Sequence, residues 1–159
     1  MKNIFTMLAI IFFFQGNAFA QSSDSDTGLA TVNVQAAIGI SAQLALRFTQ
    51  AAQGDGAEVI ASAADGAGGS ATFDLVGAAD TPYTITLPGA INMEHSGLGG
   101  SPQELINVAS FESTLGVGGN GTFDGSGEVT IGVGATRAAI LGDQVEGDYS
   151  GEFTVSIDY

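Results

Sequence analysis

Cysteine and tryptophan are both absent from the 159 residues, and Lys and Arg together number only three. Each shortage excludes something. Without cysteine there are no disulfides, so a domain exported to an oxidising compartment must hold together by packing and strand pairing alone. It also leaves His95, the one histidine, as the sole non-carboxylate metal ligand, a poor donor set for zinc or copper. The basic residues are Lys2, Arg47 and Arg137, set against 17 Asp and Glu, for a net charge of −14. Nucleic acid is bound by clustered Lys and Arg, and none cluster here. The same shortage disfavours an anionic membrane surface, and the excess of acid serves solubility. Residues with helical spacing of Lys, Glu and Arg are scarce, so no amphipathic helix is expected.

The N-terminus carries one charge, Lys2, followed by an apolar run from Ile4 to Phe14 broken only by Thr6. Ala18-Phe19-Ala20 has the small-x-small form of a signal-peptidase site. The run is too short for the roughly 20 residues of a membrane-spanning helix. Residues 1–20 are therefore expected to be a cleaved signal peptide, with no membrane insertion afterwards. Residues 21–28 are polar and read as a loose leader, and 29–159 as one domain. The expected location is the periplasm, cell surface or extracellular space.

Glycine is abundant, with 24 residues lying between short apolar runs, where tight turns require positive φ. Period-two alternation dominates the rest. Ala30, Val32, Val34, Ala36, Ile38 and Ile40 share one face, and the parity continues through Leu44, Leu46 and Phe48. Further strands are expected at 58–62, 71–76, 82–87, around 108–111 and at 128–135, with a short strand or turn over 136–143. The last run places Tyr149, Gly151, Phe153, Val155, Ile157 and Tyr159 on one face, read as a continuous core strand. Residues 90–104 are polar and irregular and read as the longest loop, with His95 in it. Residues 116–127 read as mostly looped. The pattern predicts an all-β fold, an immunoglobulin-like or pilin-like β-sandwich of about seven to nine antiparallel strands.

Several motifs are outweighed by simpler readings. Gly116-Val117-Gly118-Gly119-Asn120-Gly121 matches G-x-G-x-x-G but is followed by turn sequence where a dinucleotide site needs a helix. Gly118 to Asp124 resembles a single calcium-binding nonapeptide, which requires stacked repeats. Asp55, Asp65, Asp80, Asp124, Asp143 and Asp148 lie in or beside turns without the spacing of a calcium loop. No G-x-S-x-G accompanies His95. Asn120-Gly121-Thr122 is a glycosylation sequon. The expectation is no enzyme, no cofactor and no metal.

Four stretches in order carry a resemblance: Leu44-Ala45-Leu46-Arg47-Phe48, Ala71-Thr72-Phe73-Asp74-Leu75-Val76-Gly77, Tyr83-Thr84-Ile85-Thr86-Leu87-Pro88, and Gly147-Asp148-Tyr149-Ser150-Gly151-Glu152-Phe153-Thr154-Val155. The chain resembles the secreted bacterial family described as domain of unknown function 4402, departing at Thr49, where that family usually has glycine. The resemblance implies a surface-directed bacterial β-sandwich. The two ends are also similar in pattern to those of fimbrial subunits assembled by a periplasmic chaperone and an outer-membrane usher. That likeness implies self-association into a filament, with 29–41 read either as a donor strand whose Val32, Val34, Ala36, Ile38 and Ile40 enter a neighbouring subunit or as the first strand of its own sandwich. The alternative is a monomeric secreted binding module, an adhesin or glycan-binding sandwich.

Overall fold

The structure, a computed structural model, describes residues 36–96, 100–116 and 119–159. The expected signal peptide and leader, and Val32 and Val34, lie outside the described residues. The elements are β1 (Gly39–Leu44), β2 (Glu58–Ile60), β3 (Ala71–Val76), β4 (Pro82–Thr86), β5 (Ala90–His95), β6 (Leu105–Ser113), β7 (Asn120–Thr122), β8 (Glu128–Arg137), β9 (Tyr149–Ser150) and β10 (Ser156–Asp158). Two 3₁₀ turns, at Ala67–Gly69 and Pro102–Glu104, are the only helical elements among the described residues. All pairings are antiparallel. A seven-stranded sheet runs β1-β3-β8-β6-β5-β9, with β2 also on β8, and a three-stranded sheet runs β10-β4-β7. The architecture is an all-β sandwich with a large sheet and a small one.

Strand β8 organises the large sheet. Its Val129, Ile131 and Val133 pair with Leu75, Phe73 and Ala71 of β3. Directly opposed residues project to the same side, so these six build the inner face. Tyr83 and Ile85 of β4, Phe123 and Val155 complete the core from the other side. The outward positions of β8 explain its glycines. Residues 60–63 cross over the strand there, and a Cβ at Gly132 or Gly134 would collide with the backbone of Ala63 or Ile60. Ser70 pins the crossing. Its Oγ accepts from the Ala63 N–H at 3.0 Å and lies 3.3 Å from the Val133 carbonyl.

The small sheet covers only part of the large one. Beyond it the inner face continues through Ile60, Ile106, Val108, Ala135 and Ile140, roofed by the loops 46–57 and 138–148. Gln144, fully inside, ties this end. Its Nε2 donates to the Gln103 carbonyl at 2.6 Å, and its own carbonyl accepts from Gln53 Nε2 at 2.6 Å. Tyr149 Oη sits 2.6 Å from the Val145 carbonyl, four residues upstream, in the manner of the tyrosine corner of sandwich domains.

Three expectations need correction. Residues 90–95 are not loop but strand β5, paired with β6 and β9. The alternation Ile91-Asn92-Met93-Glu94 is present, but its apolar members are few and only half-buried. Asn120–Thr122 is likewise a strand, β7, bonded to β4. The final run is not continuous. Tyr149–Ser150 belongs to the large sheet and Ser156–Asp158 to the small one. Gly151 lies at the crossing, where its backbone passes so close to Asn92 O that a Cβ would be 2.7 Å away. This division, with β5 and β7, raises the count to ten.

Strand β6 carries one extra residue against β8, between the pairs Ala109↔Thr136 and Glu112↔Gly134. Ser110 sits in that bulge at φ 52°, a position that normally takes glycine. Ser110→Gly is expected to raise stability by about 0.5–1 kcal/mol, read as a higher urea midpoint at unchanged m-value. Ser110→Val is expected to lower it.

Candidate functional site

Strand β1 is one edge of the large sheet and β10 one edge of the small sheet. Each is paired on one side only among the described residues. The two edges lie beside one another along a seam in which no ladder joins them among the described residues. Tyr159 bridges its end: Oη accepts from the Ala78 N–H at 2.8 Å and donates to the Ala36 carbonyl at 3.1 Å, and the ring meets Phe123 edge-on at 6.3 Å. The described chain thus enters the sandwich at this seam, with Ala36 exposed and Ile38 packed against the core rim.

Ile40 pairs with Leu75 and so projects inward. Yet Leu75 is fully buried while Ile40 is 36% exposed. An inward-pointing isoleucine this exposed marks a stretch of the sandwich edge that the described residues leave uncovered. On the other lip Ile157 is half-buried and Tyr159 exposed. Phe153 and Val155 precede them, Val155 buried and Phe153 half-buried against Phe73 and Phe111, at 6.0 and 5.2 Å. The sequence-predicted residues thus divide. Ile38, Ile40, Ile157 and Tyr159 line the seam, Phe153 and Val155 close the core behind it, and Tyr149 lies in the Gln144 network at the other end. Gly39, Ile40 and Ser41 are bonded to β3 of their own domain. Within this chain, therefore, the part of 29–41 from Gly39 onward is laid down as the edge strand of its own sheet.

A second opening lies between β4 and β6, about 580 Å³, walled by Ile85, Leu87 and Phe111. It offers little main chain. Strand β4 is bonded on both edges, to β10 and β7, and the Ile85 N–H goes to the Gly119 carbonyl.

The other singled-out residues are occupied structurally. His95 ends β5, its Nε2 3.0 Å from the Glu146 carbonyl and its ring edge-on to Tyr149 at 5.3 Å. It is not in a loose loop. Asp124 Oδ1 accepts from the Ser126 hydroxyl at 2.6 Å, the Ser126 N–H at 2.8 Å and the Glu128 N–H at 3.0 Å. Asp65 and Asp55 each cap a turn. No group of three metal-binding side chains occurs among the described residues.

The Ser126 hydroxyl, with the neighbouring N–H groups, holds the Asp124 carboxyl below its ordinary pKa. A carboxyl lowered in the folded state stabilises the fold above its unfolded pKa. That contribution is lost as pH falls through the folded pKa. Asp124→Asn is therefore expected to flatten the acid limb of the melting-temperature profile, measured from neutral pH down through the carboxylate range.

The fold is a β-sandwich whose edge strands β1 and β10 are each paired on one side only among the described residues. The chain belongs to the family described as Domain of unknown function (DUF4402), whose model matches residues 18–159. No curated protein and no solved structure shows significant similarity to it.

Proposed function

We propose that this protein is a non-enzymatic, exported surface protein that builds a filament by strand exchange. The carrying observation is the inward-facing, exposed Ile40 on the seam between β1 and β10. In this reading residues 29–36 of a second copy fill the seam, with Val32 and Val34 supplying the missing apolar contacts. Main-chain bonds to a free edge give affinity, and alternate side chains give register. Head-to-tail addition is heterologous and does not close, so it propagates. A periplasmic chaperone would hold the seam before assembly and an outer-membrane usher would order the addition.

The experiment is electrophoresis of the purified protein in detergent with and without boiling. A ladder that collapses to one band on heating is expected, lost in a variant lacking residues 21–36 and restored by a peptide of residues 29–36 added to it. A monomer at high concentration, with unfolding independent of concentration, overturns the reading. A second reading, a monomeric binding module, is supported by the cleft considered next.

A further inference from the structure

The loop-roofed end of the sandwich contains a cleft of about 1280 Å³, bounded by the segment 46–53 on one side and 144–149 on the other. Ile106 and Ile140 are buried in its floor, with Met93 beside them half-buried. The segment 46–50 continues the line of β1 without ladder partners among the described residues. Its hydrogen bonds alternate. Arg47 N–H donates to the Gly69 carbonyl at 2.8 Å, and Thr49 N–H to the Glu58 carboxylate at 3.0 and 3.2 Å. In an extended chain successive residues turn their N–H and C=O to opposite edges. Arg47 and Thr49 therefore satisfy the inner edge, and Phe48 and Gln50 present theirs to the outer one. Among the described residues those groups have no backbone partner.

The edge is held rigid. Glu58 is bonded to Arg137 Nη2 at 3.4 Å, and Arg137 is more than nine-tenths buried, its Nη1 bonded to the Ala138 carbonyl at 3.0 Å. Burial pushes the Glu58 carboxyl up, but the Thr49 N–H and Arg137 together bring it below its ordinary value. It is therefore ionised and available to Thr49 at neutral pH. The only two arginines of the chain thus serve this one cleft: Arg137 anchors the edge from below, and Arg47 stands exposed on its rim. The Gln53–Gln144 bond closes one end.

We propose that this cleft binds an extended peptide of a partner protein as an added strand along Leu46–Gln50. The peptide carries apolar residues at alternate positions, which rest on the floor, and an acidic side chain beside Arg47. A free, preorganised main-chain edge suits strand addition. The volume exceeds the roughly 300–1,000 Å³ of small-molecule sites, and Arg47 is the one exposed cation offered by the described residues. The proposal stands apart from the filament reading, because the seam and the cleft use different residues.

The probe is a fluorescent octapeptide, Val-Glu-Val-Thr-Val-Glu-Val-Thr, titrated into the purified protein by anisotropy, with amide shifts of 46–50 followed by NMR. Saturable binding with shifts at Phe48 and Gln50 is expected. Methylating alternate peptide nitrogens should weaken it about tenfold or more, as paired main-chain bonds are lost. Gln50→Pro removes only an outer-edge N–H and should weaken binding about fivefold at unchanged melting temperature. Should that variant not fold, the methylated peptide reads the same edge. Arg47→Glu should weaken the acidic peptide about threefold and favour one with Lys in place of Glu. The proposal is overturned by no saturable binding at millimolar peptide, by equal affinity for the methylated peptide, or by displacement with maltohexaose, which would make the cleft a glycan site. None of these outcomes alters the ladder expected from the seam.

Discussion

Gly134→Ala is expected to destabilise the protein by about 3 kcal/mol or more, although it adds a single methyl group. In an ordinary strand the same change is favourable, because glycine loses the most entropy on folding. Here the methyl would enter the backbone of Ile60 and Ala61, which cannot turn aside as a side chain can. The crossing segment must lift, and with it the Ser70 bonds that pin Ala63 and the pairing of β2 with β8. Overpacking that forces backbone shifts costs about 1–3 kcal/mol and sometimes more. Gly132→Ala should behave alike, against the backbone of Ala63. Gly125→Ala is the control, since no atom lies within contact of the added carbon and its φ is not positive. It should leave stability unchanged or raise it by about 0.5 kcal/mol. Thermal melts of the three variants decide the matter. A Gly134→Ala protein melting with the parent would mean that residues 60–63 do not lie across β8.

Phe123→Ala is expected to cost about 3–5 kcal/mol, the range for deleting a fully buried ring. Phe123 is 1% exposed and packs on Tyr83 at 4.5 Å between ring centroids. Gly77 lies directly against its ring, leaving no room for any larger residue. The loss would also free Tyr159, whose ring meets Phe123 and whose hydroxyl holds Ala36. Phe123→Ala should thus lower the melting temperature and shift the amide of Ala78, which donates to that hydroxyl. Phe153→Ala should cost less, about 1–3 kcal/mol, because that side chain is half-buried. Equal urea midpoints for the two variants would contradict the placement of Phe123 at the centre of the small-sheet core.

The contrast between these two phenylalanines marks what the sequence made legible. Phe153 stands in an unbroken alternation and was visible as a core candidate. Phe123 stands in Gly119-Asn120-Gly121-Thr122-Phe123-Asp124-Gly125, where glycine on every side hides a three-residue strand. Those glycines answer to tertiary packing. Gly121 lies against the Tyr83 ring, and Gly119, at φ 59°, against the Ile85 carbonyl. Strands β3 and β8 were legible because both inner positions and turns are sharply marked. β5 was not, since its apolar members sit under loops and not under a sheet. The seam was partly legible. Ile38 and Ile40 share the apolar side of the alternation, but the pairing of Ile40 with Leu75 of β3 is a long-range choice that periodicity does not encode. The cleft was invisible. Arg47 and Arg137 are ninety residues apart, and only the pairing of Glu58 with Arg137 brings them to one place.

That β8 is shared by both ends of the sandwich has a kinetic consequence. Its Glu128–Val133 half supports the core under the small sheet, and its Ala135–Arg137 end supports the loop-roofed core with β2. Neither end can open fully without releasing hydrogen bonds that the other uses. Amide protons of Ile131, Val133 and Ala135 should therefore exchange with solvent only through global unfolding, whereas those of Ser156–Asp158, held by a three-residue ladder, escape through local opening. The last strand is the protein's breathing edge and β8 its slowest clock.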